Sequence, residues 1–276
     1  MDSLLFSELV FGEEMKILIG PGGTGSPSIA GLRERAKLGF PCAEVEFTHS
    51  IYMKSNKIAA EVGKAAKELG IDLSVHCPYY INLLSAEKAK ITASMKRILT
   101  SAERGHYLGA KYIVFHAGYY GKLTKEQAFA GIKKSILEMQ GVIKKNKWNV
   151  MLAPETTGKT TQFGDLDELY RMHKETGCAV CVDFAHMKAK YLGKIDYKKV
   201  FDTISKFKFK PLTGHFSGIE WGHGGEKKHK LVVDADMREL LKWIIKYKLD
   251  IRLINESPDI IGDAVKANKI LHQLYK

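Results

Sequence analysis

Eight short runs rich in Val, Ile, Leu and Phe recur along the chain, at residues 16–19, 43–47, 73–76, 112–116, 150–155, 179–184, 212–217 and 251–256. They show little polar alternation, as expected of strands buried on both faces in a parallel sheet. The intervals hold helix-like stretches at 56–69, 87–105, 124–146, 165–176, 234–247 and 259–274. The stretch at 124 opens with Thr124 and Gln127, a capping-box pair, and the one at 165 runs from an Asp to Gly177, a natural helix stop. A β-then-α order over eight units predicts an α/β protein built as a closed (β/α)8 TIM barrel. The 276 residues suffice for one such barrel, so a single domain over 1–276 is expected, with a short extension over about 1–14.

Composition narrows the class without naming a function. A hydrophobic fraction of 45% and a charged fraction of 27% are ordinary for a soluble globular protein. No apolar stretch reaches the roughly 20 residues that span a bilayer. The first residues, MDSLLFSELVFGEEMK, have no basic segment ahead of their apolar ones, so no membrane association and a cytoplasmic location are expected. A monomer is the expected state. Lys plus Arg number 43 against 31 Asp plus Glu, a net charge of +12 that suits a polyanionic partner or, equally, a solvated lysine surface. Cys178 and Cys181 form a C-x-x-C, but on a strand they would point to opposite faces, which favours two small core residues over a redox or zinc pair.

The polar residues at the ends of the runs carry the chemistry. His76 ends the third, His116 the fourth, Glu155 the fifth and Asp183 the sixth, with His186 three residues on. His215 lies late in the seventh run and Glu256 ends the eighth. In a barrel these C-terminal strand ends form one rim, where barrel active sites are built. Imidazoles and carboxylates crowded there need cations to neutralise them, and this nitrogen–oxygen mixture suits zinc, with manganese also compatible. The set exceeds what one four-coordinate ion requires, which predicts at least two metals with a carboxylate such as Glu155 between them.

These segments, taken together, resemble the endonuclease IV family of apurinic/apyrimidinic endonucleases. The resemblance rests on His76-Cys77-Pro78-Tyr79-Tyr80-Ile81-Asn82-Leu83, on Phe115 to Gly118, and on Glu155-Thr156-Thr157-Gly158. It rests also on Asp183 with His186, on His215, and on Glu256-Ser257-Pro258. The resemblance implies a barrel with two or three zinc ions that incises double-stranded DNA on the 5′ side of abasic sites, using hydroxide held by the metals. It implies that His76, His116 and Glu155 hold one ion, and that Glu155, Asp183, His215 and Glu256 hold a second. His186 would serve a third together with His229. Glu155 and Glu256 become the candidate catalytic carboxylates, and Tyr79, Tyr80 and Asn82 the residues expected to meet DNA.

Two departures stand out. The family's D-x-H after the seventh strand is matched at His229, but Lys227 occupies the aspartate position, and protonated lysine cannot ligate. Glu226 is adjacent and would substitute if the segment shifted by one residue; His223 is a further nearby ligand type. The family's arginine element after the second strand is replaced by EFTHSIYMKSN, which has no Arg. A sugar isomerase or epimerase on the same metal-binding barrel is the rival reading, and a non-catalytic nucleic-acid binder is a third. The glycine-rich loop from Gly20 to Gly25 lacks the G-K-[ST] of a P-loop and reads as a plain turn ahead of a phosphate cradle. Trp221, Tyr119 and Tyr120 join Tyr79 and Tyr80 as loop aromatics able to stack on a base or sugar, or simply to pack.

Overall fold

The computed structural model describes residues 9–11, 15–26 and 28–275. In chain order the elements are β1 (Leu9–Phe11), β2 (Met15–Pro21), α1 (Ser28–Lys37), β3 (Cys42–Glu46), α2 (Asn56–Glu68), β4 (Asp72–His76) and α3 (Lys88–Leu108). There follow β5 (Tyr112–Phe115), α4 (Lys125–Lys145), β6 (Met151–Pro154), α5 (Leu166–Thr176), β7 (Cys181–Asp183), α6 (Phe184–Lys190) and α7 (Tyr197–Ile204). The chain ends with β8 (Leu212–Phe216), the hairpin β9 (Gly218–Gly222) and β10 (Gly225–Lys230), α8 (Asp234–Lys246), β11 (Ile251–Asn255) and α9 (Gly262–Leu274).

Eight parallel strands make the barrel wall. One arc runs β2–β11–β8–β7 and the other β3–β4–β5–β6. Two parallel bridges, Gly22 with Glu44 and Glu155 with Cys181, join the arcs and close the ring. Of the extension expected over 1–14, residues 9–11 form β1, paired antiparallel with the start of β2; residues 1–8 and 12–14 lie outside the described residues.

The predicted caps are in place. Thr124 and Gln127 form a capping box at α4, Asp165 and Glu168 form one at α5, and Gly177 ends α5 at φ 70°. The short α1, α6 and α7 and the β9–β10 hairpin are additions to the elements expected from the sequence. The sixth run is shortened to three strand residues because Asp183 caps α6, its side chain accepting from the His186 N–H at 2.7 Å.

The strands are less uniformly apolar than the sequence reading holds. Their outward faces pack under the helices in one large core that includes Ile19, Val45, Val75, Ile113 and Leu253. Inside the barrel, Leu18, Cys42 and Ile254 form a separate small cluster. Residues two apart share a strand face. Cys42 is therefore followed inward by Glu44 and Glu46, and Ile254 by Glu256. Below them Arg252 is fully buried and donates through Nη2 to the carbonyls of Ala43 (2.9 Å) and Asp72 (3.3 Å), plugging the floor. Polar groups are thus stacked up the barrel axis toward the C-terminal rim.

All four cysteines are reduced and buried, and burial pushes the Cys178 thiol up to about 11. Both cysteines of the C-x-x-C are core packing, although only Cys181 lies on a strand.

Candidate metal centre

The C-terminal rim surrounds a cavity of about 390 Å³ lined by Glu46, His76, Tyr79, His116, His186, Glu226, His229, Glu256, Ser257, Pro258 and Ile260. Among the described residues, no Lys or Arg lines it. Potential ligand atoms converge in sets within 4.8 Å of one another: His76, His116 and Glu155; Asp183, His186 and His229; and Glu155, Asp183, His215 and Glu256. A further set, Glu44, Glu46 and Glu256, was not anticipated from the sequence.

Glu155 sits at the centre and is buried. Its Oε2 lies 3.1 Å from His76 Nε2 and 3.0 Å from His116 Nε2, and its Oε1 lies 3.2 Å from the Nδ1 atoms of both His186 and His215. His215 Nδ1 is also 3.3 Å from Glu256 Oε1. On its far side, His215 Nε2 lies 3.0 Å from Glu44 Oε1, and neither atom makes a hydrogen bond. Ser74 donates to the other Glu44 oxygen.

Tautomers show what these atoms need. His76 Nδ1 lies 2.8 Å from the Cys77 carbonyl and donates to it, so a neutral ring turns its Nε2 lone pair toward the Glu155 carboxylate. His229 Nδ1 donates to the Glu256 carbonyl at 2.9 Å, and His186 Nδ1 to the Thr156 carbonyl at 3.0 Å. Their Nε2 lone pairs then face each other across 3.2 Å. Asp183 Oδ2 is buried with no hydrogen bond, since the nearest N–H, His186 Nδ1 at 3.2 Å, is spent on Thr156. Lone pairs opposed at these distances repel unless a proton or a metal ion lies between them. The donor set therefore fits divalent cations bound by nitrogen and oxygen.

Titration follows the same logic. Burial opposes the charged form of His76, but the hydrogen bond and charge of Glu155 outweigh it and push the imidazole up to about 9. Burial would raise Glu155, yet His116 and His215 hold it well below the usual carboxylate range. Burial likewise opposes Glu256, and His215 brings it down to about 2. Glu46 goes the other way, to about 7, because burial and the neighbouring Glu256 and Glu44 all disfavour its charge.

The β9–β10 hairpin settles how Lys227 is accommodated. Glu226 pairs with Trp221 and Lys228 with Glu220, so Lys227 is the extra residue of a β-bulge. Along a regular strand Lys227 and His229 would share a face, and Glu226 would point away. The bulge reverses this. Glu226 turns inward, with Oε2 3.6 Å from His186 Nε2 and Oε1 4.0 Å from His229 Nε2, while Lys227 is exposed and lies over Gly222. The Glu226 N–H donates to the Gly158 carbonyl at 2.9 Å, and a side chain at Gly158 would meet Glu226 Cβ at 2.6 Å. His223 is exposed and does not line the cavity.

Other expected contacts divide. Tyr79 lines the cavity and is 60% exposed; Tyr80, 62% exposed, does not line it. Asn82 braces two loops instead: its Oδ1 accepts from the N–H groups of Leu84 (3.1 Å) and Tyr119 (3.4 Å), against Gly118 at φ 141°. Tyr120 donates to Glu168, and Trp221 lies against Lys188, so both are packing residues. In the glycine-rich loop, the Gly22 N–H is spent on the Asn255 carbonyl at 2.8 Å, which favours the plain-turn reading.

Residues 32–210 match the sequence profile of the xylose isomerase-like TIM barrel family. The chain belongs to that family. Family members are enzymes that use divalent metals, and they include endonucleases as well as isomerases and epimerases. The chain is 38% identical over 250 residues to an uncharacterized protein of Methanocaldococcus jannaschii, covering 86% of this chain and 89% of that one. It is 29% identical over 120 residues to a protein named Probable endonuclease 4 from Mesomycoplasma hyopneumoniae, spanning 42% of each chain. Among solved structures, a D-tagatose 3-epimerase-like protein superposes with a TM-score of 0.73 at 15% identity, covering 94% of this chain and 97% of that one. Endonuclease IV from Thermus thermophilus gives 0.69 at 17% identity, covering 94% and 98%. These structural likenesses establish the barrel and leave its chemistry to the site.

Proposed function

We propose that this family member is a metal-dependent phosphodiesterase that incises duplex DNA on the 5′ side of abasic sites. One observation carries the reading. Glu155 joins the His76–His116 group, and Asp183 the His186–His229 group, to the Glu155–Asp183–His215–Glu256 set, and the opposed His186 and His229 lone pairs add a place for a cation beyond that single set. A sugar isomerase or epimerase working with one ion has no use for the additional imidazoles; a phosphodiester displacement does, since charge develops on both the attacking and the leaving oxygen.

His76, His116 and Glu155 would hold one ion, Glu155, Asp183, His215 and Glu256 another, and Asp183, His186, His229 and Glu226 a third, with zinc or manganese compatible with the donors. Bound there, divalent ions would supply the positive charge that a phosphodiester needs in a cavity without Lys or Arg. The chain's own residues orient the donors: the Cys77, Thr156 and Glu256 carbonyls fix three imidazole rings, and the bulge aims Glu226. At the mouth, the His49 ring lies 6.3 Å from Tyr79 and 6.4 Å from Tyr80, centroid to centroid. This exposed aromatic rim takes the place of the absent arginine element, offering π-faces to an unstacked base.

A second reading, a sugar isomerase or epimerase, has one observation in its favour: the Glu155–Asp183–His215–Glu256 set is complete by itself. Incision of a duplex oligonucleotide with one abasic site, with and without added zinc or manganese, separates the two. Metal-dependent cutting on the 5′ side, lost in Glu155→Gln, is the expected result. No cutting by protein that elemental analysis shows to be metal-loaded would overturn the nuclease reading in favour of the sugar enzyme.

A further inference from the structure

Glu46 is a cavity carboxylate outside the three sets assigned to metal above, and it converges with Glu44 and Glu256 in the fourth. It ends β3, faces inward above Glu44, and lines the cavity beside Tyr79, Ser257 and Ile260. Among the described residues it forms no hydrogen bond and no ion pair. Its neighbours are committed: Glu44 to His215 and Ser74, and Glu256 to His215. The carboxylate rests against Gly22, where a Cβ would fall 2.2 Å from Oε1, so the bare glycine leaves the room that Glu46 occupies.

A largely buried carboxylate without donors is costly unless a ligand supplies them. With Glu44 and Glu256 at its side, this wall repels a phosphate oxygen, so a phosphodiester belongs at the histidine end of the cavity. Where no cation occupies the Glu44–Glu46–Glu256 set, the group facing Glu46 is a neutral donor on a small carbon skeleton that can lie on the Tyr79 ring and Ile260. We propose that Glu46 is a specificity-determining residue that accepts a hydrogen bond from a free hydroxyl of the substrate sugar, namely the anomeric hydroxyl exposed where a base has been lost. This rests on the abasic-site reading. An intact nucleotide carries a base at that carbon and offers no such hydroxyl.

The test compares two duplexes that differ in that hydroxyl alone: a natural abasic site, made by removing uracil enzymatically, and its tetrahydrofuran analogue. Assayed at pH 8, where Glu46 is charged, a hydrogen bond to it predicts that the metal-loaded protein cuts the natural site about 10- to 100-fold faster. In Glu46→Ala that ratio falls to about one, and in Glu46→Gln, which keeps an acceptor, part of it survives. Because each ratio is taken within one preparation, it is insensitive to the fraction of folded enzyme. Equal cutting of both duplexes by the unaltered protein would overturn the role of Glu46 and leave the nuclease reading standing. An unchanged ratio in Glu46→Ala would overturn it too. So would loss of bound metal in that variant, which would make Glu46 a ligand. Failure to cut either duplex would remove the nuclease reading itself, and the anomeric-hydroxyl assignment with it.

Discussion

Stripped of metal, the protein is expected to lose stability as pH rises from 6.5 to 9, the reverse of its behaviour when loaded. The origin is His76, buried with Nε2 3.1 Å from Glu155 Oε2. Burial works against its charge, but Glu155 prevails and raises the imidazole from 6.5 to about 9. A group whose pKa is higher in the folded state contributes stability that is fully present below the unfolded value and lost as pH climbs through the folded one. At about 1.4 kcal/mol per unit, that window is worth about 3 kcal/mol for His76 alone. The depressed Glu155 owes its shift to His116 and His215, and its contribution is lost only as pH falls, below this window. His186 and His215 oppose burial in the same way, are raised well above the ordinary value, and push in the same direction. For a chain of this size, about 3 kcal/mol corresponds to a fall in Tm of roughly 6–10 °C. Metal ligation demands deprotonated imidazoles, so the metal-loaded protein should gain relative stability over the same range. Thermal unfolding followed by circular dichroism at pH 6.5, 7.5 and 9, in chelator and again with zinc, reads both slopes. His76→Asn should flatten the chelator series by about one proton. A Tm that stays level or rises with pH in chelator would refute the reasoning.

Glu226→Ala should lose about one equivalent of metal by elemental analysis while Lys227→Ala keeps its full content, because the bulge aims the former inward and leaves the latter exposed; equal loss in both would contradict that register. Glu44→Gln removes the charge behind His215 and should weaken metal affinity about 10- to 100-fold, measured by competition with a chelator, with native-like circular dichroism. An affinity equal to that of the unaltered protein would show that Glu44 does not position the ring.

What the sequence made legible was what repeats. Six successive strand ends carrying His, Asp or Glu are visible without coordinates, because a closed barrel gathers C-terminal ends on one rim. Glu44 and Glu46 escape notice because the apolar residues of their run suggest burial on both faces. Ala43-Glu44-Val45-Glu46 has a period of two, which places both acids on the face opposite Val45, and that pattern could have found them. Arg252 between Ile251 and Leu253 is a similar case. The hairpin was also partly readable, as two short runs around Gly222-His223-Gly224-Gly225. Its bulge was not: register there depends on docking against Gly158, more than 60 residues away in sequence.

The inward placement of those acids changes what the net charge of +12 can mean. Among the described residues the positive excess lies away from the cavity, whose walls carry carboxylates and imidazoles and no Lys or Arg. Glu44, Glu46, Glu155, Asp183, Glu226 and Glu256 crowd one end of one barrel, and protons on His76, His186 and His215 offset them only in part. A basic exterior can draw a polyanion toward the molecule at long range. It cannot admit a phosphodiester to this cavity, because at contact distance the carboxylates dominate. On the proposed reading, entry of the scissile phosphate is therefore tied to metal loading. Surface lysines set how often DNA arrives, and ions held by the rim decide whether it can be engaged.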